Sequence, residues 1–229
     1  MADTKKLCIA IDGPAASGKS TTARLLAKEL GYIYIDTGAM YRAATLAVLN
    51  KKINPAENEK VNAVVKESDI NIKIINGEQH TFLDGEDVST KIRTPQIDKN
   101  ISAVATNPDV RKIMVKQQQR LAATGGVVMD GRDIGTVVLP DADLKIFMVA
   151  SIEARALRRK LDHSEHKLTL DEIKKDIEQR DYADMNRQDS PLMKAKDAVE
   201  LDNSDLTIEQ QVQKILEWIR SAQGESHPE

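Results

Sequence analysis

The strongest indication of the fold comes from residues 7–20, which have the sequence LCIAIDGPAASGKS. The first five residues form an apolar run typical of a buried strand. The last eight match the Walker A pattern, in which two glycines, a lysine and a serine or threonine stand at fixed spacing. After this loop, leucines recur at helical spacing as far as Gly31. A strand, a glycine-rich loop and a helix in this order predict a loop that binds phosphate.

The residue types of this loop suit an anion. Gly13 and Gly18 let the backbone bend so that successive N–H groups point inward, and the positive end of the following helix dipole adds to the attraction. Lys19 is expected to reach the β- and γ-phosphates of ATP, and the Ser20 hydroxyl is expected to ligate Mg²⁺. The predicted ATP-binding residues are Gly13, Pro14, Ala15, Ala16, Ser17, Gly18, Lys19, Ser20 and Thr21.

Further apolar runs predict the rest of a sheet. They lie at residues 32–35, 127–129, 144–149 and 198–201, and helical patterns separate them. Strands that alternate with helices favour an α/β fold with a parallel five-stranded sheet covered on both faces. A different pattern stands at 70–83, where two β-rich runs flank Asn76-Gly77, the strongest short hairpin signal. This stretch predicts a small antiparallel insertion.

Composition excludes several classes of protein. The net charge is −3 and aromatic residues make up 3% of the chain, which argues against a nucleic-acid partner. Cys8 is the only cysteine, so internal disulfides and cysteine zinc sites are excluded. No apolar segment is long enough to span a bilayer and the N-terminus lacks a signal-peptide core, so we expect a cytoplasmic protein without a membrane partner. We also expect a monomer.

A second polar motif, DGRDIG, follows the third core strand at residues 130–135. Ligands of open α/β sheets bind at the carboxyl ends of the strands. Asp130 is therefore predicted to hold Mg²⁺, directly or through water, and Arg132 and Asp133 are predicted to project into the same site. A polar turn with solvated charges is the alternative.

Arginines mark a possible lid. Arg155, Arg158 and Arg159 share one helix face, Arg180, Asp184 and Arg187 share another, and a polar segment at 162–169 joins the two helices. Phosphoryl transfer needs charge neutralisation and exclusion of water, which a closing lid of this kind provides. Two solvated, salt-bridged helices remain the alternative. Arg42, one turn into the second helix, is a further candidate for a phosphate ligand, with a plain surface arginine as its alternative.

Two other classes of P-loop protein, GTPases and mechanical ATPases, fit the sequence less well than a metabolic kinase. A GTPase would carry an Asn-Lys-x-Asp motif downstream of the phosphate loop, and none occurs. A mechanical ATPase would need partner domains for which the chain is short. A nucleotide-dependent switch that binds a protein partner stays open as the alternative from a different class.

Four segments together resemble the bacterial cytidylate kinases. They are residues 11–20, 36–42 (DTGAMYR), 131–138 (GRDIGTVV) and 180–187 (RDYADMNR). The resemblance extends from about residue 7 to residue 219. It implies a nucleoside monophosphate kinase with a core at 5–54 and 101–220, a substrate-binding insertion at 55–100 and a lid at 155–190. The polar tail at 222–229 is predicted from the sequence to be disordered.

The resemblance also implies transfer of a phosphoryl group from ATP, with Mg²⁺, to CMP or dCMP; a kinase for UMP, AMP or another small acceptor is the alternative within enzymes. Arg42, Arg132 and Arg187 would hold the acceptor phosphate, and Arg180 and Asp184 the ribose. Ser102, Arg111 and Asp133 would read the cytosine, with Thr37 nearby. Arg158 would contact the transferring phosphate. The implied catalytic residues are Lys19, Arg132, Arg158 and Arg187.

Overall fold

The computed structural model describes residues 6–162 and 168–222. Within these ranges the chain forms two compact units. The first contains residues 6–34, 125–162, 168–186 and 191–222, and the second contains residues 35–124 and 187–190. The predicted tail, apart from Ala222, and most of the polar segment at 162–169 lie outside the described residues.

The first unit is built on a five-stranded sheet. Strand β1 pairs in parallel with β6 on one side and with β7 on the other, and β8 extends the sheet beyond β7. The order is β2-β6-β1-β7-β8, which confirms the predicted five-stranded parallel sheet. The strands are β1 (Cys8–Asp12), β2 (Ile33–Asp36), β6 (Val127–Gly131), β7 (Leu144–Val149) and β8 (Val199–Asp202).

Helices cover this sheet and bury its apolar side chains. Ile9 and Ile11 of β1 are fully buried in a cluster with Leu26 and Ile215 of two covering helices. A smaller cluster around Ile177 joins two later helices. The helices of the first unit are α1 (Lys19–Leu30), α6 (Ile152–Asp162), α7 (Leu170–Asn186) and α8 (Ile208–Ala222).

The second unit contains the predicted hairpin. Strands β3 (Ile70–Ile75) and β4 (Glu78–Leu83) pair antiparallel, and β5 (Glu86–Asp87) adds a short third strand. Asn76 and Gly77 both have positive φ, 53° and 82°, as a two-residue hairpin turn with the right-handed strand twist requires. The hairpin predicted from the Asn-Gly signal is therefore present in the second unit.

Four helices complete the second unit, which is larger than the predicted insertion at 55–100. The apolar faces of the helices on both sides of the hairpin join its inner face in one core, which includes Met40, Val65, Val104 and Met114. A boundary drawn at the hairpin alone would cut through this core. The helices are α2 (Thr37–Asn50), α3 (Asn58–Glu67), α4 (Pro95–Ala105) and α5 (Pro108–Ala122).

None of the helices in the two described ranges is long and apolar enough to cross a membrane.

Candidate active site

The glycine-rich loop runs from the end of β1 to the start of α1. A β-carbon on Gly13 would lie 2.3 Å from the backbone oxygen of Met148, so only glycine fits there. Gly18 has φ 88° and Ala16 has φ 58°, and the second value is uncommon for a residue with a side chain. Gly18 also precedes α1 without a side chain to cap the first-turn N–H groups. The loop thus presents backbone donors and the positive end of a helix.

Lys19 is buried in this loop, with 6% of its surface exposed. Its ammonium donates to the Pro14 backbone oxygen at 3.1 Å. Burial, followed by the positive charge of Arg132, lowers the pKa of Lys19 from 10.5 to about 7. Since a phosphate favours the charged form of a neighbouring amine, an anion in the loop would raise this pKa again.

Ser20 and Asp130, the two predicted ligands of Mg²⁺, lie in contact with each other. The Ser20 hydroxyl donates to Asp130 Oδ2 at 2.7 Å, and the Tyr34 hydroxyl donates to Oδ1 at 2.9 Å. A hydroxyl and a carboxylate are oxygen ligands of the kind Mg²⁺ accepts, with the remaining positions filled by water and phosphate oxygens. The donor set therefore fits Mg²⁺. Among the described residues no group of three or more His, Cys, Asp or Glu side chains that could hold a metal ion occurs.

Arg132 and Asp133 follow Asp130 at the end of β6. Arg132 Nε donates to Asp184 of α7 at 2.7 Å, so two predicted ligands of the acceptor are in contact with each other. Asp133 is 4% exposed and leads into a π-helical turn, Ile134–Val138. Such turns occur often at functional sites.

Asp12 holds this turn and was missed in the sequence. Its carboxylate accepts from the backbone N–H groups of Ile134 at 2.8 Å and Gly135 at 2.7 Å. Burial raises the pKa of Asp12 to about 6, although these two hydrogen bonds lower it in part. In a sequence, an aspartate at the end of a strand indicates the start of a turn. The only sequence signal for a role of Asp12 at the site is its position directly before Gly13.

Arg158 lies behind the phosphate loop. Its guanidinium donates to the backbone oxygens of Ser17 and Asn203, at 3.2 and 2.7 Å. Asn203 is fully buried, and its amide also donates to Ser17 and to the Gln211 side chain. Arg158 therefore supports the phosphate loop through these hydrogen bonds. Its contact with a transferring phosphate stays a prediction. Sequence reasoning missed Asn203 and Gln211, whose polar side chains carry no motif.

The second unit holds the other predicted ligands. Arg42 donates to Asp98 at 2.5 Å and to the Ile92 backbone oxygen at 3.0 Å. Arg111 is 4% exposed and lies over the Tyr41 ring, 5.6 Å from its centroid. The remaining ligands lie in different settings: Thr37 is buried at the start of α2, Ser102 is exposed on α4, and Arg187 donates to the Ser190 backbone oxygen at 2.5 Å.

The predicted site residues are therefore divided between the units. In the first unit, the charges of Asp130, Arg132, Arg180 and Asp184 lie close enough to Lys19 to shift its pKa. Ser20 and Asp133 belong to the same unit. The second unit carries Thr37, Arg42, Ser102, Arg111 and Arg187.

A parallel sheet with a Walker A loop between its central strand and the next helix defines the P-loop class of nucleotide-binding folds. A gluconokinase from Sinorhizobium meliloti 1021 has the same fold, with a TM-score of 0.51 and 12% identity over 97% of this chain and 99% of that chain. At this identity the likeness concerns the fold alone.

Sequence comparison identifies the family. The cytidylate kinase family model matches residues 9–221. A cytidylate kinase of Bacillus cereus (strain B4264) is 54% identical over 216 residues, which cover 93% of this chain and 95% of the relative. One of Bacillus thuringiensis (strain Al Hakam) is 52% identical over 214 residues, with the same coverage. The chain belongs to the cytidylate kinase family and is a kinase, which confirms the resemblance.

Proposed function

We propose that this protein transfers the γ-phosphoryl group of ATP to CMP and dCMP, with Mg²⁺ as cofactor. The observation that carries the proposal is the grouping of Lys19, the Ser20–Asp130 pair and the Arg132–Asp133 pair around the ends of β1 and β6. These are a phosphate cradle, a metal site and a candidate acceptor site. The family of the chain supports CMP as the acceptor.

ATP phosphates would bind to the loop N–H groups and to Lys19, whose ammonium regains its proton beside the phosphate charge. Ser20 and Asp130 would hold Mg²⁺, which supplies positive charge to the phosphate oxygens. The chemistry of phosphoryl transfer is mostly alignment and charge neutralisation, so these residues need not exchange protons with the substrate. Their task is to keep the phosphates fixed and the charge balanced.

The acceptor phosphate would bind to arginines, which recognise phosphate through two parallel N–H donors. Arg132 and Arg42 already donate to the carboxylates of Asp184 and Asp98. Such pairing fixes a guanidinium before the substrate arrives, so less side-chain entropy is lost on binding. Arg187 would be the third phosphate ligand. Arg180 and Asp184 would contact the ribose.

Cytosine would be read by Asp133 and Arg111, with Ser102 and Thr37 as further polar contacts. Cytosine carries an amino donor at C4 and a ring acceptor at N3. A carboxylate accepts from the amino group and a guanidinium donates to the ring nitrogen. Both charged side chains are 4% exposed, so a base that left either without its hydrogen bond would bind poorly. Uracil, with a carbonyl at C4, is such a base.

A coupled assay of ADP release against CMP, dCMP, UMP, AMP and GMP tests the proposal. We expect ATP consumption to depend strictly on an added acceptor, with CMP and dCMP ahead of the other nucleotides. A preference for another monophosphate would replace the acceptor in this proposal. ATP hydrolysis that ignores every acceptor would instead favour a nucleotide-dependent switch.

A further inference from the structure

The peptide groups around Ala15, in the middle of the phosphate loop, are held on both sides by two charged side chains. The Ala15 N–H donates to Asp181 Oδ1 of α7 at 3.0 Å. The Ala15 carbonyl accepts from Arg155 Nη1 of α6 at 3.3 Å. The same Arg155 nitrogen donates to the second carboxylate oxygen of Asp181. These contacts close a ring of hydrogen bonds through one loop residue and two helices.

The ring is buried and its members have few degrees of freedom. The side chains of Arg155 and Asp181 are each 11% exposed. Arg155 Nε donates in addition to the Ala150 backbone oxygen at 3.1 Å, which fixes the plane of the guanidinium. Charge-assisted hydrogen bonds of this kind are stronger than neutral ones and suffer little from solvent screening at such depth.

The residue after the ring explains why the loop needs such support. Ala16 has φ 58°, in the left-handed region that disfavours residues with a β-carbon. A backbone conformation of this kind persists only where the surrounding structure fixes it. The ring fixes the peptide groups directly before Ala16. Without it, the loop would relax toward conformations in which its N–H groups no longer converge.

We propose that Arg155 and Asp181 are positioning residues that hold the phosphate loop in its ATP-binding conformation. The proposal rests on the proposed function only in taking ATP as the ligand of the loop. Neither side chain needs to touch a phosphate. This role differs from the predicted lid, in which the arginines of α6 would contact the transferring phosphate.

A salt bridge that merely joins α6 to α7 would not have this effect, and the chain contains a matched example. Lys174 of α7 pairs with Glu153 of α6 at 3.2 Å. No hydrogen bond described for this pair reaches the phosphate loop. Comparison of the two pairs therefore separates support of the loop from attachment of one helix to the other.

The test is the dissociation constant of Mg·ATP, measured by isothermal titration calorimetry without an acceptor. Arg155→Lys keeps the charge but loses the planar fork that serves three acceptors, and Asp181→Asn removes the negative charge. We expect each variant to bind ATP about tenfold more weakly, which corresponds to about 1.4 kcal/mol. The double variant should be little worse than either single one, because both changes break the same ring.

Two controls complete the experiment. Glu153→Gln and Lys174→Gln should change ATP affinity less than about twofold, as expected for an exposed pair. The KM for CMP should stay within a similar range in the Arg155 and Asp181 variants, because none of the ring's hydrogen bonds involves a predicted CMP ligand. Thermal unfolding checks that each variant folds, and Arg155→Lys carries the test if Asp181→Asn does not fold.

Unchanged ATP affinity in both variants, or an equal loss in the Glu153–Lys174 controls, would overturn the positioning role. Additive losses in the double variant would also contradict it. Wild-type protein that did not bind ATP would instead refute the proposed function. Because the binding experiment contains no acceptor, the positioning role would survive the discovery that a nucleotide other than CMP is the substrate.

Discussion

Replacement of Lys19 by methionine should stabilise the protein near pH about 6 while it lowers turnover by about 10²-fold or more. Methionine keeps most of the side-chain volume but has no charge to bury. A pKa lowered from 10.5 to about 7 corresponds, at about 1.4 kcal/mol per pH unit, to about 5 kcal/mol of folding free energy. The wild type is destabilised by this amount at every pH at which Lys19 is fully charged in the folded protein.

The sign of the effect depends on pH. Below pH about 7 both the folded and the unfolded chain carry the proton, and the full cost is present. Between about 7 and 10.5 only the unfolded chain keeps the proton, so the stability of the wild type rises with pH until the cost is gone. Methionine also loses the hydrogen bond to Pro14, which costs about 1–3 kcal/mol at every pH.

The removed cost of burying a charge and the lost hydrogen bond to Pro14 act in opposite directions. Together they predict that the difference in stability between Lys19→Met and the wild type changes sign with pH. Lys19→Met should be more stable than the wild type by about 2–4 kcal/mol near pH about 6, and less stable by about 1–3 kcal/mol above pH about 10. Urea denaturation of both proteins across this range measures the difference. Titrating groups remote from Lys19 cancel in this difference, whereas Asp12, whose pKa the charge of Lys19 lowers, contributes to it near pH about 6. Lys28→Met, an exposed change in the same helix, should change the free energy of unfolding little.

Turnover of Lys19→Met should fall by about 10²-fold or more, because charge that develops during transfer is no longer neutralised. A stability difference independent of pH, or a variant less stable at low pH, would refute the electrostatic reasoning. A folded variant with near-normal turnover would refute the role of Lys19 in phosphate binding.

Three further changes test the loop and the metal site. Ser20→Ala should raise the Mg²⁺ concentration for half-maximal rate several-fold and leave the KM for CMP unchanged; an unaltered Mg²⁺ requirement would exclude Ser20 as a ligand. Ala16→Gly should raise the free energy of unfolding by about 1 kcal/mol, seen as a Tm higher by about 2–4 °C, and a lower Tm would show that φ 58° carries no strain. Gly13→Ala should lower the Tm sharply, because its β-carbon would lie 2.3 Å from Met148 O, and a normal Tm would contradict this packing.

The sheet and the hairpin could be predicted because their signals are local. Unbroken apolar runs mark strands buried on both faces, and Asn76-Gly77 marks a turn that needs two positive φ angles. The Walker A loop was equally clear, since its glycines, lysine and serine stand at fixed spacing. The position of Asp130 at the end of a strand could also be predicted, and its carboxylate accepts a hydrogen bond from Ser20 of that loop.

The supporting polar groups could not be predicted, because their partners are far apart in the chain. Asp181 accepts from Ala15 across 166 positions, and Asn203 donates to Ser17 across 186. A single sequence contains no signal for such pairs. The extent of the second unit is not evident from the sequence for a similar reason. The apolar faces of α2 and α5 are evident in the sequence, but the surface against which they pack is not.

We propose that this kinase selects cytosine through Asp133. The most direct test is the ratio of kcat/KM for CMP to kcat/KM for UMP. Sites built around a specific hydrogen bond reject analogues that lack it by up to ~10⁴–10⁵. We expect a ratio far above one in the wild type. Asp133→Asn should narrow it, mainly through lower activity on CMP, because an amide can donate to the uracil carbonyl.

Arg132→Ala is the matched control from the neighbouring position. As a proposed ligand of the acceptor phosphate, Arg132 should affect CMP and UMP alike, so its loss should lower both values and leave their ratio unchanged. We therefore expect a ratio that falls in Asp133→Asn and is preserved in Arg132→Ala. Equal use of the two pyrimidines by the wild type, or a ratio unaltered by Asp133→Asn, would show that Asp133 does not select the base.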